Sequence, residues 1–439
     1  MQIKIDGYKK NVDTLPLIKH YIEELGRYEL LKKYVEKGRR QEEPAEGLCI
    51  LIMNILNSGK PLYKVEEWLQ EYMDEFDERG KEPLVFNDDR FARDLDKLYH
   101  TERGSLMAEL SAKAIEIHEL ETKIIHNDTT TITFSGEYKE PEELEAVQLK
   151  RGYNKDGHPD CKQIVFGLNI TEDGHVPISY KAYDGDTSDN NTHTANWDAL
   201  RKIIFEPEFI YVADSQLRSM KTLGYLHSKG GLFISILPKN RQEVKAFHER
   251  IRHEEIVWEN TLEVPNSRKR NEKITYLTYN GEKTREGYSI LWVHSSAKAL
   301  ADRNKRQKSV EASEKSLKKL RKKLNSYHLK TREEILSAIE KALSNTKDYF
   351  NYQIINDPQP VKKQKKRGRP SNSTKYQLET KITYRLEYQL NQEILNQASL
   401  SDGIFPIIHN TTNLTNKEIL ALGSFNGIDS NQEMTDGQP

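Results

Sequence analysis

Two aspartates of this chain stand in strand-like segments where a carboxylate could bind a metal ion. Asp128 lies inside residues 124–134 (IIHNDTTTITF), and Asp214 closes residues 209–214 (FIYVAD). Runs rich in β-branched and aromatic residues favour strands. An unpaired carboxylate is costly to bury in a central strand, and the tip of a buried strand is where open α/β sheets place their chemistry. The pair therefore predicts a shared metal site, although either aspartate alone is also typical of a turn or a helix cap.

The residue type indicates which chemistry the pair would support. Hard Mg²⁺ or Mn²⁺ ions prefer carboxylate oxygens. Two such ions, roughly 4 Å apart, can activate a water or a 3′-hydroxyl on one side of a phosphorus and stabilise the leaving oxygen on the other. Phosphodiester chemistry with two divalent ions is the leading hypothesis. A glycosidase built on two carboxylates is a rival hypothesis, but it gives no reason for the basic segments described below.

The elements around the two aspartates predict how a sheet would bring them together. Strand-like runs at residues 124–134, 163–170 and 176–183 precede a helix pattern, the strand of Asp214, another helix and a further strand. Asp173-Gly174 between two β-rich runs is a strong hairpin signal. Three strands, helix, strand, helix and strand is the order of a ribonuclease H-like core, in which the first and fourth strands each carry an acid.

The residues before this core indicate a separate helical region. Leu17 and Tyr21 begin a helical spacing of apolar residues, and residues 47–56 (GLCILIMNIL) are apolar on nearly every face, which suits the central helix of a small bundle. Asp88 or Asp89 is expected to cap a later helix. No catalytic grouping occurs here, so an accessory domain is expected, with DNA or partner contact as the alternative.

Basic residues dominate a long segment after residue 239. Residues 301–332 contain twelve Lys and Arg against three acids, a net charge of 12 − 3 = +9. Residues 362–369 (KKQKKRGR) run into a Ser- and Asn-rich stretch, which predicts a flexible linker. Segregated positive charge favours contact with a polyanion, with a solvated helix face as the alternative. The predicted DNA-binding residues are Lys362, Lys363, Lys365, Lys366, Arg367 and Arg369; the last two belong to an Arg-Gly-Arg-Pro tetrapeptide similar to the core of a minor-groove AT-hook.

Strand character returns at residues 382–390 and 403–408, so the basic segment is expected to interrupt the core. The predicted fold class is α/β: a ribonuclease H-like mixed sheet interrupted by a mostly helical insertion, with an all-α N-terminal domain. The expected boundaries are 1–110 for the N-terminal domain, 118–240 and 379–422 for the two core parts, 241–378 for the insertion with its linker, and 423–439 for a disordered or aberrant tail.

Composition excludes several classes of protein. The 439 residues have a formal net charge of −1 and include two cysteines, which argues against a disulfide scaffold or a zinc ribbon and fits a reducing compartment. The spacing of His126, His158, His175 and His193 matches no usual zinc ligand set. No apolar run is long enough for a membrane span, and the N-terminus lacks a signal-peptide core. A cytoplasmic, nucleoid-associated protein without a membrane partner is expected.

These segments resemble the bacterial insertion-sequence transposases of the DDE class, in the branch with an interrupted ribonuclease H-like core and a helical N-terminal domain. The resemblance rests on IIHNDTTTITF, on GLNITEDGHVPISYKAYDGDTSD, on FIYVADSQL, on the DDR of residues 88–90 and on DGIFPIIHNTTNL near the end. It implies that Asp128 and Asp214 are catalytic, metal-binding residues. It also implies two Mg²⁺ or Mn²⁺ ions, cutting of transposon terminal repeats, joining of the freed 3′-hydroxyls to target DNA, and a homodimer on paired ends.

One departure from the family pattern concerns the third acid. The family places a glutamate on a helix after the TNL-like segment, within a pattern of Tyr, two residues, Arg, three residues and Glu. Here the tyrosine position is near residue 423 and the glutamate position is near Ser430, whereas Glu418 is too early and Glu433 lies in a Gly- and Asn-rich tail. A truncated or frameshifted, defective DDE transposase is therefore expected. The alternative is a catalytically inactive DNA-binding remnant or regulator.

Overall fold

The computed structural model describes residues 13–38, 43–72, 86–136, 138, 146–187, 192–204, 208–213, 217, 219–266, 269, 271–326, 328–365 and 375–425. The chain divides into two compact units. The first contains residues 1–234 and 425–439, and the second contains residues 235–424.

The N-terminal part of the first unit is helical, as predicted. Its helices are α1 (Leu15–Glu24), α2 (Arg27–Tyr34), α3 (Pro44–Asn57), α4 (Val65–Glu71), α5 (Asp88–Tyr99) and α6 (Arg103–Ile117). Helix α3 has the apolar run at its centre and is buried along most of its length. Leu48, Trp68, Leu69 and Phe91 belong to one apolar cluster that joins α3, α4 and α5. Removal of these side chains from water is the main stabilising term for such a small bundle.

Helix α5 is capped by Asn87, so the prediction of Asp88 or Asp89 as the cap was wrong. The Asn87 side chain accepts a hydrogen bond of 2.9 Å from the Arg90 backbone N–H. Asp88 and Asp89 fall instead in the first helical turn, where the exposed N–H groups favour negative charge. The Arg90 side chain is buried and pairs with Asp94 at 2.7 Å. The Asp88-Asp89-Arg90 sequence therefore has a structural role at the start of helix α5.

The sheet of the first unit has the predicted element order. It consists of β1 (Ile124–Phe134), β2 (Lys162–Thr171), β3 (Pro177–Asp184), helix α7 (His193–Ile203), β4 (Ile210–Ala213), helix α8 (Met220–Ser228) and the start of β5 (Leu232–Ile236). Strand β1 lies between β2, with which it is antiparallel, and β4, with which it is parallel. Strand β3 is antiparallel to β2 on the far side. This mixed pairing is that of a ribonuclease H-like core.

The hairpin predicted at Asp173-Gly174 is confirmed between β2 and β3. The Thr171 N–H donates to the Val176 carbonyl at 3.0 Å. Gly174 has a φ of 65°, in the left-handed region that glycine enters without a steric penalty. The turn fixes the register that aligns β3 with β2.

The second unit contains the remaining elements. They are α9 (Gln242–His253), β6 (Glu259–Pro265), β7 (Lys273–Asn280), β8 (Ser289–Ser295), α10 (Ser296–Lys323), α11 (Arg332–Leu343), β9 (Phe350–Gln364), β10 (Tyr376–Leu390), α12 (Gln392–Ser399), β11 (Ile404–His409) and α13 (Asn416–Phe425). Strands β7 and β8 form an antiparallel pair, and β8 also pairs antiparallel with β11. The chain thus leaves the sheet after β8 and returns to it at β11, with α10, α11, β9, β10 and α12 between. Strand β6, which pairs with β7, was not predicted.

The expected flexible linker was wrong for residues 362–365. These residues belong to or directly follow β9, which pairs with β10 in an antiparallel two-stranded ribbon of fifteen residues per strand. The preceding helix α11 ends at Leu343, and β9 begins at Phe350. Pairing satisfies the backbone polar groups of one strand with those of the other, so this segment needs no apolar core along its whole length. Residues 366–374 lie outside the described residues.

The predicted fold class is confirmed: a mixed α/β core with an insertion follows an all-helical N-terminal region. Strand β10 runs through residue 379, where the second core part was expected to begin, and the proposed domain boundaries stay predictions. Most of the expected tail, residues 426–439, lies outside the described part of the chain. Within the described part, no helix is both long and apolar enough to cross a membrane.

Candidate active site

Asp128 lies on the exposed face of β1. Alternate residues of this strand, including Ile125, Asn127 and Thr129, point to the opposite face and are buried. The Asp128 carboxylate therefore escapes the desolvation cost that a buried position would impose. Its Oδ1 accepts a hydrogen bond of 2.7 Å from the Thr129 N–H. This contact orients a carboxylate that remains accessible to a ligand.

Asp214, the second predicted metal ligand, lies outside the described residues. The strand that leads to it is described as far as Ala213, at the end of β4. Strand β4 is buried and parallel to β1, with Tyr211 opposite Ile125 and Ala213 opposite Asn127. The parallel register thus reaches the residue just before Asp128 on one strand and just before Asp214 on the other.

A buried polar network lies on the reverse face of these strands. Asn127 Nδ2 donates to Asn169 Oδ1 at 2.9 Å, and Asn169 Nδ2 donates to Asn196 Oδ1 at 2.8 Å. Asn196 Nδ2 in turn donates to the Tyr211 hydroxyl at 3.0 Å, and this hydroxyl also lies 3.1 Å from His193 Nδ1. The chain of contacts links β2, β1, helix α7 and β4.

This amide network is a set of residues that the sequence analysis missed. Asn169 is only 1% exposed, so its amide group must find partners inside the protein. A buried amide left without a partner costs about 1–3 kcal/mol, which makes the matched arrangement strongly preferred. The available signal was Asn127 and Asn169, two amides in runs otherwise rich in β-branched residues. Their pairing became visible only once the β1–β2 register was known.

His126 lies two residues before Asp128 on the same strand but does not share its exposure. The His126 side chain is 3% exposed and its Nε2 contacts the Glu172 carboxylate. Glu172 directly follows β2, so the contact joins the ends of two neighbouring strands. His193, another of the four histidines whose spacing matches no zinc ligand set, belongs to the amide network. In the described residues, no group of three or more His, Cys, Asp and Glu side chains is placed to hold a metal ion.

Glu418, which lies near the part of the sequence where the third acid is expected, has a structural role in helix α13. Glu418 Oε2 accepts hydrogen bonds from the Thr415 N–H at 2.8 Å and from the Thr415 hydroxyl at 2.7 Å, while the Glu418 N–H donates to the Thr415 hydroxyl. This reciprocal arrangement caps helix α13. The backbone and side-chain hydrogen bonds from Thr415 lower the pKa of Glu418. Glu418 therefore acts as a helix-capping residue in the second unit.

Gly423 lies near the position where the family resemblance leads us to expect a tyrosine. It is buried against β11, and a Cβ atom at this position would come within 2.8 Å of Ile407 Cδ1. Ile407 is fully buried, so its side chain has other protein atoms around it. A larger side chain at residue 423 would therefore disturb the packing of α13 on β11.

Three of the six predicted DNA-binding residues are described, and they lie at the end of the β9–β10 ribbon. Lys362 and Lys363 are exposed near the end of β9, and exposed Lys365 directly follows this strand. Lys366, Arg367 and Arg369 lie outside the described residues. The amide of Lys365 donates to the carbonyl of Lys375 at 3.0 Å, so cross-strand pairing continues to the last described residue before this gap.

Comparisons with solved structures give transposases as neighbours, at low similarity. A piggyBac transposase synaptic complex with hairpin DNA matches 65% of this chain and 61% of its own, with 11% identity and a TM-score of 0.32. A Mos1 transposase paired-end complex with the left transposon end matches 52% of this chain and 69% of its own, with 12% identity and a TM-score of 0.18. The match thus spans less than two thirds of the piggyBac chain. Similarity this weak carries no argument about the site.

Comparison with protein families is more informative. No curated protein matches the chain significantly. Residues 8–112 match DUF4277, a domain of unknown function. Residues 121–346 match the family described as Transposase DDE domain, and this match includes Asp128 and the sequence position of Asp214. Because it spans more than half of the 439 residues, the chain belongs to the DDE transposase family.

Proposed function

We propose that this transposase acts on insertion-sequence DNA by divalent-metal-dependent phosphodiester cleavage and strand transfer, with Asp128 and Asp214 as metal ligands. The observation that supports the pairing is the parallel register of Asn127 with Ala213. Each of these residues is followed directly by one of the aspartates. Neighbouring strands lie about 5 Å apart, and direct partners point to the same face. One further step of the same register would therefore place the two carboxylates side by side.

The Asp128 carboxylate suits Mg²⁺ or Mn²⁺ by both its chemistry and its exposure. These hard ions take oxygen ligands and usually keep several waters or substrate phosphates, which an exposed position on the sheet face permits. Two bound ions would supply charge stabilisation and acidify the attacking water or hydroxyl. The chain itself contributes the strand that holds Asp128 and the Thr129 N–H that orients one carboxylate oxygen.

We also propose that the third acid of the family is missing from this chain, so that the copy is defective. Glu418 is engaged in capping α13, and Gly423 is packed where the family has tyrosine. Two carboxylates alone would hold the second ion poorly, and cleavage is expected to be very weak. The same observations favour a second candidate function, in which the chain is an inactive DNA-binding remnant or regulator of an intact transposase.

DNA is the proposed partner, as transposon terminal repeats and target, bound by a homodimer on paired ends in the cytoplasmic nucleoid. The support is the cluster of cations at residues 362–369 together with the family. Deletion of these residues should weaken binding to duplex DNA by at least about tenfold at low salt, because several phosphate contacts would be lost. An unchanged affinity would remove this segment from the interface.

The catalytic proposal is tested by strand cleavage on terminal-repeat DNA with Mn²⁺. The present chain should give no detectable product, and appending a helix with the family's Tyr, Arg and Glu pattern should restore cleavage. The Asp128→Asn variant of that extended protein should be inactive. Full activity from the unextended chain would show that the third acid lies elsewhere, and full activity of the Asp128→Asn variant would remove Asp128 from the site.

A further inference from the structure

The β9–β10 ribbon is anchored at its base and extends outward without a core. Asn325 holds it near the middle: its Nδ2 donates to the Tyr384 carbonyl at 2.9 Å, and its Oδ1 accepts from the Tyr384 N–H at 2.7 Å. The base packs on helices α10 and α11 through a buried cluster formed by Leu317, Ile335, Ile339, Phe350, Ile354 and Leu386. Beyond the contact of Asn325 with Tyr384, residues 358–363 and 375–382 are all exposed. This outer part is about 25 Å long and is held in a defined direction.

The two faces of the outer ribbon differ in charge. Direct cross-strand partners point to the same face, and Gln377 is opposite Lys363 while Leu378 is opposite Lys362. One face, termed the lysine face, therefore has Lys363, Lys365, Lys375 and Lys381 against a single acid, Glu379. The reverse face has Tyr376, Leu378 and Ile382, with Lys362 as its cation. The net charge of +3 on the lysine face is thus fixed by the pairing register and not by the local sequence alone.

We propose that the lysine face binds duplex DNA, with the ribbon lying in or across a groove. A two-stranded ribbon fits the major groove, and lysines on its face would then reach the flanking phosphates. This inference rests on the proposed function and revises its list of DNA-binding residues. Lys375 and Lys381 join the interface, whereas Lys362, one of the residues predicted from the sequence, belongs to the reverse face and leaves it. The partner is a polyanion because four cations converge on one face with one acid among them.

The free edge of β9 is poorly suited to pair with a strand from a second copy of the chain. Pro358 and Pro360 lie in unbroken register with Ile382 and Thr380 on β10. Proline has no N–H to donate, so alternate prolines on a paired strand remove two donors from its free edge. Such an edge resists the addition of another strand. The lysine face is therefore the surface with the clearest complementarity to a partner.

Lys381 and Lys362 form a matched pair for testing this proposal. Both are exposed lysines on the outer ribbon, and they differ in the face to which they belong. In fluorescence anisotropy with the full chain and a mixed-sequence duplex of roughly 30 base pairs, Lys381→Gln should weaken binding by roughly fivefold to tenfold near 0.1 M salt. It should also reduce the slope of log affinity against log salt by about 1. Lys362→Gln should change affinity by less than about twofold.

Substitution of Glu379 provides a test in which the expected change in DNA affinity is opposite to the change that misfolding would cause. Its carboxylate accepts hydrogen bonds from Lys363 Nζ at 2.9 Å and from Gln377 Nε2 at 2.9 Å. Glu379→Gln would remove the negative charge from the lysine face and release Lys363 for a phosphate. The affinity for the same duplex should rise by roughly threefold or more. A misfolded variant would lose affinity instead.

The outcomes separate this inference from the proposed function. Weaker binding by Lys381→Gln and tighter binding by Glu379→Gln, with Lys362→Gln unchanged, would support the lysine face. Equal losses for Lys381→Gln and Lys362→Gln would overturn it, since the cations would then act without orientation, while DNA binding itself would stand. Failure of the unaltered chain to bind any duplex would instead overturn the proposed function.

Discussion

Asn127 on β1 and Ala213 on β4 are direct partners in a parallel strand pair. This relationship connects two positions that are far apart in the sequence, and it is the last pair within the described residues. In the sequence, each of the two residues is followed directly by one of the aspartates. The register is the physical basis of the proposal that the two aspartates form one site.

Substitution of Asp128 tests that basis directly. Asp128→Asn should lower the affinity of the full chain for Mn²⁺ by at least about tenfold, because a neutral amide is a poor ligand for a hard cation. The fold should be unaffected, since the side chain is exposed. Electron paramagnetic resonance of free and bound Mn²⁺ would measure the change. Thr130→Asn, at an exposed position on the same face, is the matched control, and equal Mn²⁺ affinity in the Asp128→Asn variant would rule out the metal role.

The buried amide network makes a second prediction, about stability. Asn169→Ala should lower the free energy of unfolding by about 1–3 kcal/mol, because Asn127 and Asn196 both donate to the lost side-chain oxygen. Urea denaturation followed by circular dichroism would measure it. Thr130→Ala, an exposed change on β1, should cost much less.

Coupling within the network gives a stricter criterion. If Asn169 and Asn196 act as one hydrogen-bonded unit, the double variant should cost less than the sum of the single variants. Strict additivity would mean that the two amides contribute independently, and that the network does not hold β2 and α7 together as a unit.

Sequence reasoning succeeded where local pattern determines structure and failed where distant residues pair. The β-branched run around Asp128 and the Asp173-Gly174 turn were sufficient to predict β1 and the β2–β3 hairpin. The contact between Asn169 and Asn196 could not be predicted, because it depends on how α7 packs on the sheet.

The ribbon was missed for a related reason. Basic and proline residues in its outer half are poor strand formers by themselves, and they gain order only from pairing with β10.

The cap of α5 was not predicted correctly, because any of three successive polar residues could have capped the helix. Only the backbone conformation selects Asn87.

A third prediction concerns pH. Burial lowers the pKa of His409, and its Nδ1 lies 3.0 Å from the Thr411 hydroxyl. In the unfolded chain this histidine titrates near pH 6.5, so the folded state is favoured above that pH and loses stability as the pH falls toward the lower folded pKa. His248 and His294, whose pKa values are also lowered by burial, should add to the same trend.

His409→Asn should therefore make the acid-dependent loss of stability smaller. The measurement is the midpoint of urea denaturation at about pH 7.5 and about pH 5.5. The variant should show a smaller difference between the two midpoints than the unaltered chain, whereas His100→Asn, at an exposed position, should show the same difference. Identical pH dependence in all three proteins would exclude His409 as a contributor.

The packing of Gly423 on Ile407 makes the fourth prediction. Gly423→Tyr, which would introduce the tyrosine expected near this position, should destabilise the protein by about 1–3 kcal/mol or more, because even the first side-chain carbon would overlap with Ile407. Helix propensity alone predicts the opposite sign, since tyrosine is the better helix former of the two. Ala421→Tyr, at an exposed position of the same helix, is the control in which propensity acts without the overlap. Thermal unfolding should therefore rank Gly423→Tyr well below Ala421→Tyr. The reverse order would show that α13 can move away from β11 to admit the tyrosine, and that packing is not what separates this chain from the family pattern.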